Sequence, residues 1–457
     1  DVDVFWQKIE RHLAEEEASR SIMHNITKAF KTSIANVNTS VNNVDNTMLQ
    51  YNKELEGEKS DGLGKRRNLE DREEGLSIKK QHKEGCIMSS ASSPPPCSVL
   101  IDSPEDGDPS DDYRIREANV SQLFRNFQNK SIWIAKNGGL FVESNVHEIL
   151  SLSSIFLLTP NSHSKIIIDI FGSRLLDEIH QNVMPVQNTT LNSKYELKFR
   201  EAIKKVKKSR ECAIDWFYTE LASDRNLRKS SGSLILKCLE TLPSEKIRNE
   251  PSEITYITNY IDNIMKSLFH NPDKHIVQWP NKALNESKSR KYEGRTKQPD
   301  FVVSIIYQLQ TDSVIFVGEV SPPSQRNNVY KNCKDLIQLG VFMKDCVDSA
   351  IDKGADINVF GFHCVDHIID FYIIELIQGT YFIVHIGQVS VPASMKEMPS
   401  FVDELELLLG IQEIFQKSFD TLYDKLCSPS SPSNNAIFKR DTLGSDVFSI
   451  CTNRDTA

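Results

Sequence analysis

Two carboxylates within residues 251–427 have the chemistry to hold a hard cation. Asp300 follows Pro299 at the mouth of an apolar run, Phe301 to Leu309, and Glu319 lies near the end of a second, Ser313 to Val320. Such runs read as two strands, joined here by the turn residues Gln310-Thr311-Asp312. A hairpin of this kind brings its outer ends side by side. Mg²⁺ prefers oxygen ligands and commonly takes only one or two protein carboxylates, leaving the rest of its shell for water and phosphate. Asp300 and Glu319 are therefore the candidate metal ligands. His363 and His367 stand four residues apart, but that spacing clusters imidazoles only on a helix. These two fall among strand-like residues, so structural or surface roles are expected of them. The sequence carries no glycine-rich phosphate loop, serine nucleophile elbow or paired CxxC set.

The elements around the pair follow from hydrophobic periodicity. Ser252-Glu253 offers an N-cap, and Ile254, Ile257, Ile261, Ile264 and Leu268 form an apolar stripe that predicts a helix to Phe269. After Pro322-Pro323, the spacing of Cys333, Leu336, Leu339, Met343 and Val347 predicts a long helix over Asn327 to Ala350. Three further strands are expected at Ile357 to His363, Ile368 to Leu376 and Thr380 to Val389, with a closing helix from Phe401 to Leu426. The expected fold class is α/β, a mixed central sheet flanked by helices.

Pro299-Asp300, then Gly318-Glu319-Val320-Ser321 across a hairpin, with Glu253 on a preceding helix, resembles the PD-(D/E)XK or restriction-endonuclease-like nuclease superfamily. Val317 to Val320 followed by the helix through Asp335 to Asp345 is similar, more particularly, to nuclease-like proteins of fungal genomes. The resemblance covers about residues 250–427. It implies phosphodiester hydrolysis with Mg²⁺, or Mn²⁺, held by Asp300 and Glu319, Glu253 as the assisting helix acid, and a lysine that positions or activates the attacking water. The motif lysine, due two residues after Glu319, is Ser321. Lys331 and Lys334 on the next helix are the candidates for a migrated ammonium. The alternative is a catalytically inactive protein that keeps the fold as a nucleic-acid or protein interaction module.

The 457-residue chain is long enough for two to four domains at roughly 100–200 residues each. Residues 1–58 read as a helical, heptad-like segment through which the chain could self-associate, and 59–112 as a charged, Ser/Pro-rich linker. Within the linker, Lys65-Arg66-Arg67 and Lys79-Lys80 are spaced like a bipartite nuclear import signal, although basic clusters are also common in solvated linkers. A small accessory unit is expected over 113–190, a basic helical region over 191–250, and a disordered tail over 428–457. In the basic region Lys204, Lys205, Lys207 and Lys208 are the first candidates for phosphate contacts, against the alternative of a solvated helix face.

A net charge of −9 argues against coating nucleic acid by bulk charge, while leaving room for a local basic groove. No run of 18 apolar residues occurs and the N-terminus lacks the layout of a secretory signal. Nine scattered cysteines, an odd number with no CxxC pair, favour free thiols. The expected location is intracellular, nuclear or cytoplasmic, without a membrane span.

Overall fold

The computed structural model describes residues 112–442, apart from 138, 186–188, 281–283, 285–297 and 429–432, together with 450–451. The segment expected to be helical over 1–58 and nearly all of the linker expected over 59–112 lie outside the described residues. All the described residues belong to one compact unit, Pro95–Ala457.

A seven-stranded mixed sheet organises the chain. Its strands are β1 (Ile155–Leu158), β2 (His275–Gln278), β3 (Phe301–Tyr307), β4 (Gln310–Ser321), β5 (Val359–Val365), β6 (Ile368–Ile377) and β7 (Thr380–Ser390). They lie in the order β1-β7-β6-β5-β4-β3-β2. Pairing is parallel at β1/β7 and β4/β5 and antiparallel elsewhere. The helices that bear on the site are α1 (Val146–Ser151), α2 (Ser193–Val206), α3, α4 (Val329–Asp352) and α5 (Leu405–Cys427). Helix α3 runs from Glu253–Tyr256 through a π-helical turn, Ile257–Ile261, to Asp262–Phe269. The helix expected from Ser252 is thus present, capped by the Ser252 hydroxyl, which accepts from Thr255 N.

The hairpin expected between Asp300 and Glu319 forms, but its turn is Gln308-Leu309, and Gln310 to Asp312 already belong to β4. Both turn residues have positive φ, 48° and 62°, the conformation that a two-residue connection needs to match the strand twist. Neither is Gly, Asn or Asp, so the usual sequence signal is missing.

Residues 113–190 do not form a separate unit. The fully apolar run Ile155–Leu158 pairs in parallel with β7, Tyr381 opposite Ile155, and joins the main core. Nor is the whole stretch after 428 a loose tail. Asn434–Phe438 forms a 3₁₀ turn, and fully buried Lys344 holds the segment beyond it by donating to Arg440 O at 2.5 Å and Thr442 Oγ1 at 2.8 Å.

The two faces of the sheet differ in chemistry. Phe301, Gly318, Phe362 and Phe371 are paired across β3, β4, β5 and β6 and lie on the apolar face. A Cβ on Gly318 would stand 2.2 Å from the Phe362 ring, so only glycine lets that buried ring lie across the strand. One residue further along, the opposite face carries a polar row in which Glu319 is paired with His363 and His363 with Asp370. Helix α4 covers this face closely because Gly361 offers no Cβ to its Met343, whose sulfur would stand 2.4 Å away. Among the described residues no helix is long and apolar enough to cross a membrane.

Candidate functional site

The polar row ends on the predicted pair. Asp300, one residue before β3, donates its N–H to Gly318 O at 3.1 Å, which sets it beside Glu319. Its carboxylate accepts from Val320 N at 2.9 Å. The two carboxyl groups act on each other, and the neighbouring Asp300 charge is one of the causes that raise Glu319. Burial, followed by the charges of Asp300 and Asp335, pushes Glu319 well above the usual carboxylate range. Asp300 is raised chiefly by burial, opposed by the Val320 N–H and by Lys331. Glu319 Oε1 is buried and has no hydrogen-bond partner among the described residues. Glu253 stands exposed at the first turn of α3. Partial desolvation and then the nearby Asp300 raise its carboxyl as well. The α3 helix is tied down here by Tyr256, whose hydroxyl donates to Asp366 O at 2.5 Å.

Lys331 completes the cluster. Pro322-Pro323 ends β4 in a 3₁₀ turn, and the Asn328 side chain then caps α4 by accepting from Lys331 N at 3.1 Å. Starting the helix at this point directs the Lys331 side chain back over the strand. Its ammonium donates to Ser321 Oγ at 2.8 Å, to Asp335 Oδ2 at 2.9 Å and to Val320 O at 3.3 Å. Ser321, fully buried, donates in turn to Asp335 Oδ2 at 3.1 Å. Lys334 does not join the site: its ammonium lies 5.8 Å from the ring centre of Tyr330, on a different stripe of α4.

Three members of the site carry no functional signal in the sequence reading. Asp335 holds Lys331 in place, and its position four residues on, one helical turn along the same face, is the signal that distinguishes Lys331 from Lys334. His363 is buried with Nε2 unpartnered among the described residues, and neighbouring Asp370 bonds His385 Nε2 at 3.0 Å and Gln388 Nε2 at 2.9 Å. His363 is thus buried beside Glu319, while His367 packs edge-on against Tyr256.

Among the described residues no three His, Cys, Asp or Glu side chains converge as a metal cluster. A divalent cation binding here would have the two carboxylates of Asp300 and Glu319. That donor set is hard, and Glu319 Oε1 is an oxygen not already engaged by the described residues.

The basic run is not part of this site. Most of it lies on α2, which packs on helices Arg210–Ser223, Ser233–Thr241 and Met398–Asp403, none of which carries a cluster carboxylate. Lys198 pairs with Glu220, Arg200 with Glu196 and Asp403, and Lys205 with Glu201 while lying over Trp216. Lys204, Lys207 and Lys208 are exposed. No protein-family model, curated protein or solved structure matches the chain.

Proposed function

We propose that the chain is a divalent-metal-dependent nuclease of PD-(D/E)XK type, with Asp300, Glu319 and Lys331 at its active centre and Glu253 assisting. The observation that carries this reading is the Lys331 ammonium seated 2.8 Å from Ser321 Oγ. The position that lacks the motif lysine receives an ammonium from the next helix. The element order supports the same reading: helix α3, antiparallel strands β2, β3 and β4, helix α4, and β5 parallel to β4 agree with a restriction-endonuclease-like core.

Asp300 and Glu319 would hold Mg²⁺ or Mn²⁺, which when bound supplies Lewis-acid stabilisation of phosphate charge and lowers the pKa of a coordinated water. The chain's own groups do the rest. Hydrolysis adds a water oxygen to phosphorus and breaks one P–O ester bond, placing negative charge on non-bridging and leaving oxygens. Lys331 is fixed by Asp335 and Ser321 before substrate arrives, so its charge reaches those oxygens without reorganisation. Glu253, whose carboxyl is raised above the ordinary range, is placed at the rim to accept a proton.

The test is a nicking assay with Mg²⁺ or Mn²⁺ on DNA and RNA. Asp300→Asn and Glu319→Gln should each abolish cleavage while the fold persists, since they remove charge with little change of shape. Cleavage undiminished in the double variant, or none by the wild-type chain, would overturn the proposal.

A further inference from the structure

The polar row continues away from Glu319 into a cleft of about 740 Å³, whose walls include His147, His163, His363, His385, Tyr372 and Asp370. This is the volume range of ligand pockets. Its walls come from α1, the loop after β1, and strands β5 to β7. His363 is therefore both a wall of the cleft and the cross-strand neighbour of Glu319. With strands about 4.8 Å apart, Asp370 lies about 10 Å from Glu319 along the sheet.

The chemistry of the walls is specific. Nε2 of His147, His163 and His363 is buried and has no hydrogen-bond partner among the described residues. The His147 and His163 rings stand 6.1 Å apart. Burial pushes His147 down to about 4, so its ring is neutral at pH 7 and offers one donor and one acceptor. Among the described lining residues there is no Lys or Arg, and Glu143 and Asp370 are present, so a phosphate is not the fitting occupant. A single metal ion would leave most of the volume empty. A flat, neutral heteroaromatic group with mixed donors and acceptors on its edge fits, because such rings stack on aromatic and imidazole faces while their edges are read by hydrogen bonds.

We propose that this cleft takes a nucleobase of the nucleic-acid strand, next to the phosphodiester that lies at Asp300 and Glu319. The assignment rests on the nuclease reading and names where its substrate is gripped. The phosphate meets the carboxylates and Lys331, and the adjoining base enters the histidine-lined cleft.

Two measurements test it. Imidazole proton resonances of the whole chain are followed by NMR while adenosine, guanosine, cytidine or uridine is added, with ribose 5-phosphate and Zn²⁺ as separate additions. At least one nucleoside should shift the His147 and His163 signals saturably, in the wild-type chain and in Asp300→Asn alike, and ribose 5-phosphate should not. Then an oligonucleotide with one base removed at each position in turn is bound to the Glu319→Gln variant, read by fluorescence anisotropy. Loss of one particular base should weaken binding about tenfold, the scale of a stacked base. The added double substitution His147→Ala/His163→Ala should erase that positional effect and leave the other positions unchanged. A flat scan, or imidazole signals moved by Zn²⁺ and by no nucleoside, would overturn the base site. Saturable nucleoside binding in a chain that cleaves no nucleic acid would leave the cleft a base site and overturn its place beside a scissile phosphate. Cleavage without nucleoside binding would do the reverse.

Discussion

Lys331→Met isolates the group that distinguishes an active site from a relic. The ammonium makes three contacts, to Ser321, Asp335 and the Val320 carbonyl. Removing it leaves the buried Asp335 carboxylate without its counter-ion. Breaking a fully buried pair costs about 3–5 kcal/mol. Lys331 keeps 31 % of its side chain exposed, so solvent screening reduces the expected loss to about 2 kcal/mol, a few degrees in Tm. Cleavage should fall about 10²–10³-fold, the usual effect of removing one preorganised electrostatic group. The Ser321→Lys substitution alone should not help. It adds a second ammonium and three methylenes at a fully buried position where Lys331 already sits, which costs about 1–3 kcal/mol in overpacking. Combined as Lys331→Ser/Ser321→Lys, the ammonium is returned from the strand side, so Tm should rise back towards the wild-type value and cleavage should recover to within about tenfold of wild type, a strong non-additivity of the kind seen between contacting groups. Lys334→Met is the control, expected within about 0.5 kcal/mol of wild type. Thermal melts and single-turnover cleavage read all five chains. Wild-type rates in Lys331→Met, or a folded swap no faster than Lys331→Met, would refute the reasoning.

Glu319 carries a pH signature independent of turnover. Its folded pKa lies above the unfolded value, so the folded chain binds the extra proton. Stability without Mg²⁺ should therefore fall as pH rises from about 4.5 towards the raised value and then level off. Melts should show Mg²⁺ reversing that fall and Glu319→Gln abolishing it. Gly318→Ala should destabilise by about 1–3 kcal/mol, because the new methyl meets the buried Phe362 ring, and denaturant titration reads the change. Neutralising Lys204, Lys207 and Lys208 should lower any nucleic-acid affinity and flatten its dependence on salt. An unchanged salt slope would mark those exposed lysines as a plain solvated face.

Periodicity carried most of the domain that holds the site. The stripe of α4 and the Ser252 cap of α3 are readable because apolar spacing and capping chemistry are local. The pairing of Asp300 with Glu319 was also legible, since a hairpin constrains its own ends. The strand Ile155–Leu158 was not, because four apolar residues fit a buried strand or a helix equally, and its partner β7 lies more than two hundred residues away. The hairpin turn was missed because Gln308 and Leu309 accept positive φ without the residues that advertise it. Asp370 escaped notice, and His363 was read only as half of an HxxxH pair, for a third reason. A row across a sheet is a property of register, which no window of sequence contains.

Two lysines on α4 show how a structural charge differs from a poised one. Lys344 is 1 % exposed, and its ammonium is answered by Asp348, Arg440 O and Thr442 Oγ1, with the Tyr381 ring beneath it. Every neighbour there opposes its charge or accepts its protons, and the result is a clasp for the C-terminal segment. Around Lys331 the balance is different. Three carboxylates, Asp300, Glu319 and Asp335, influence one another, and Lys331 is the ammonium that moderates Asp300 and Glu319, while Glu319 Oε1 remains unpartnered among the described residues. An apolar residue of similar size in place of Glu319 would serve the fold better, since burying a carboxyl that lacks a full set of partners costs free energy. Such unfavourable clusters concentrate at functional sites because the missing partner is supplied from outside. On the nuclease reading we propose, a divalent cation shared with a phosphodiester would be that partner: it would answer the two carboxylates and leave the Lys331 ammonium facing the charge that hydrolysis creates.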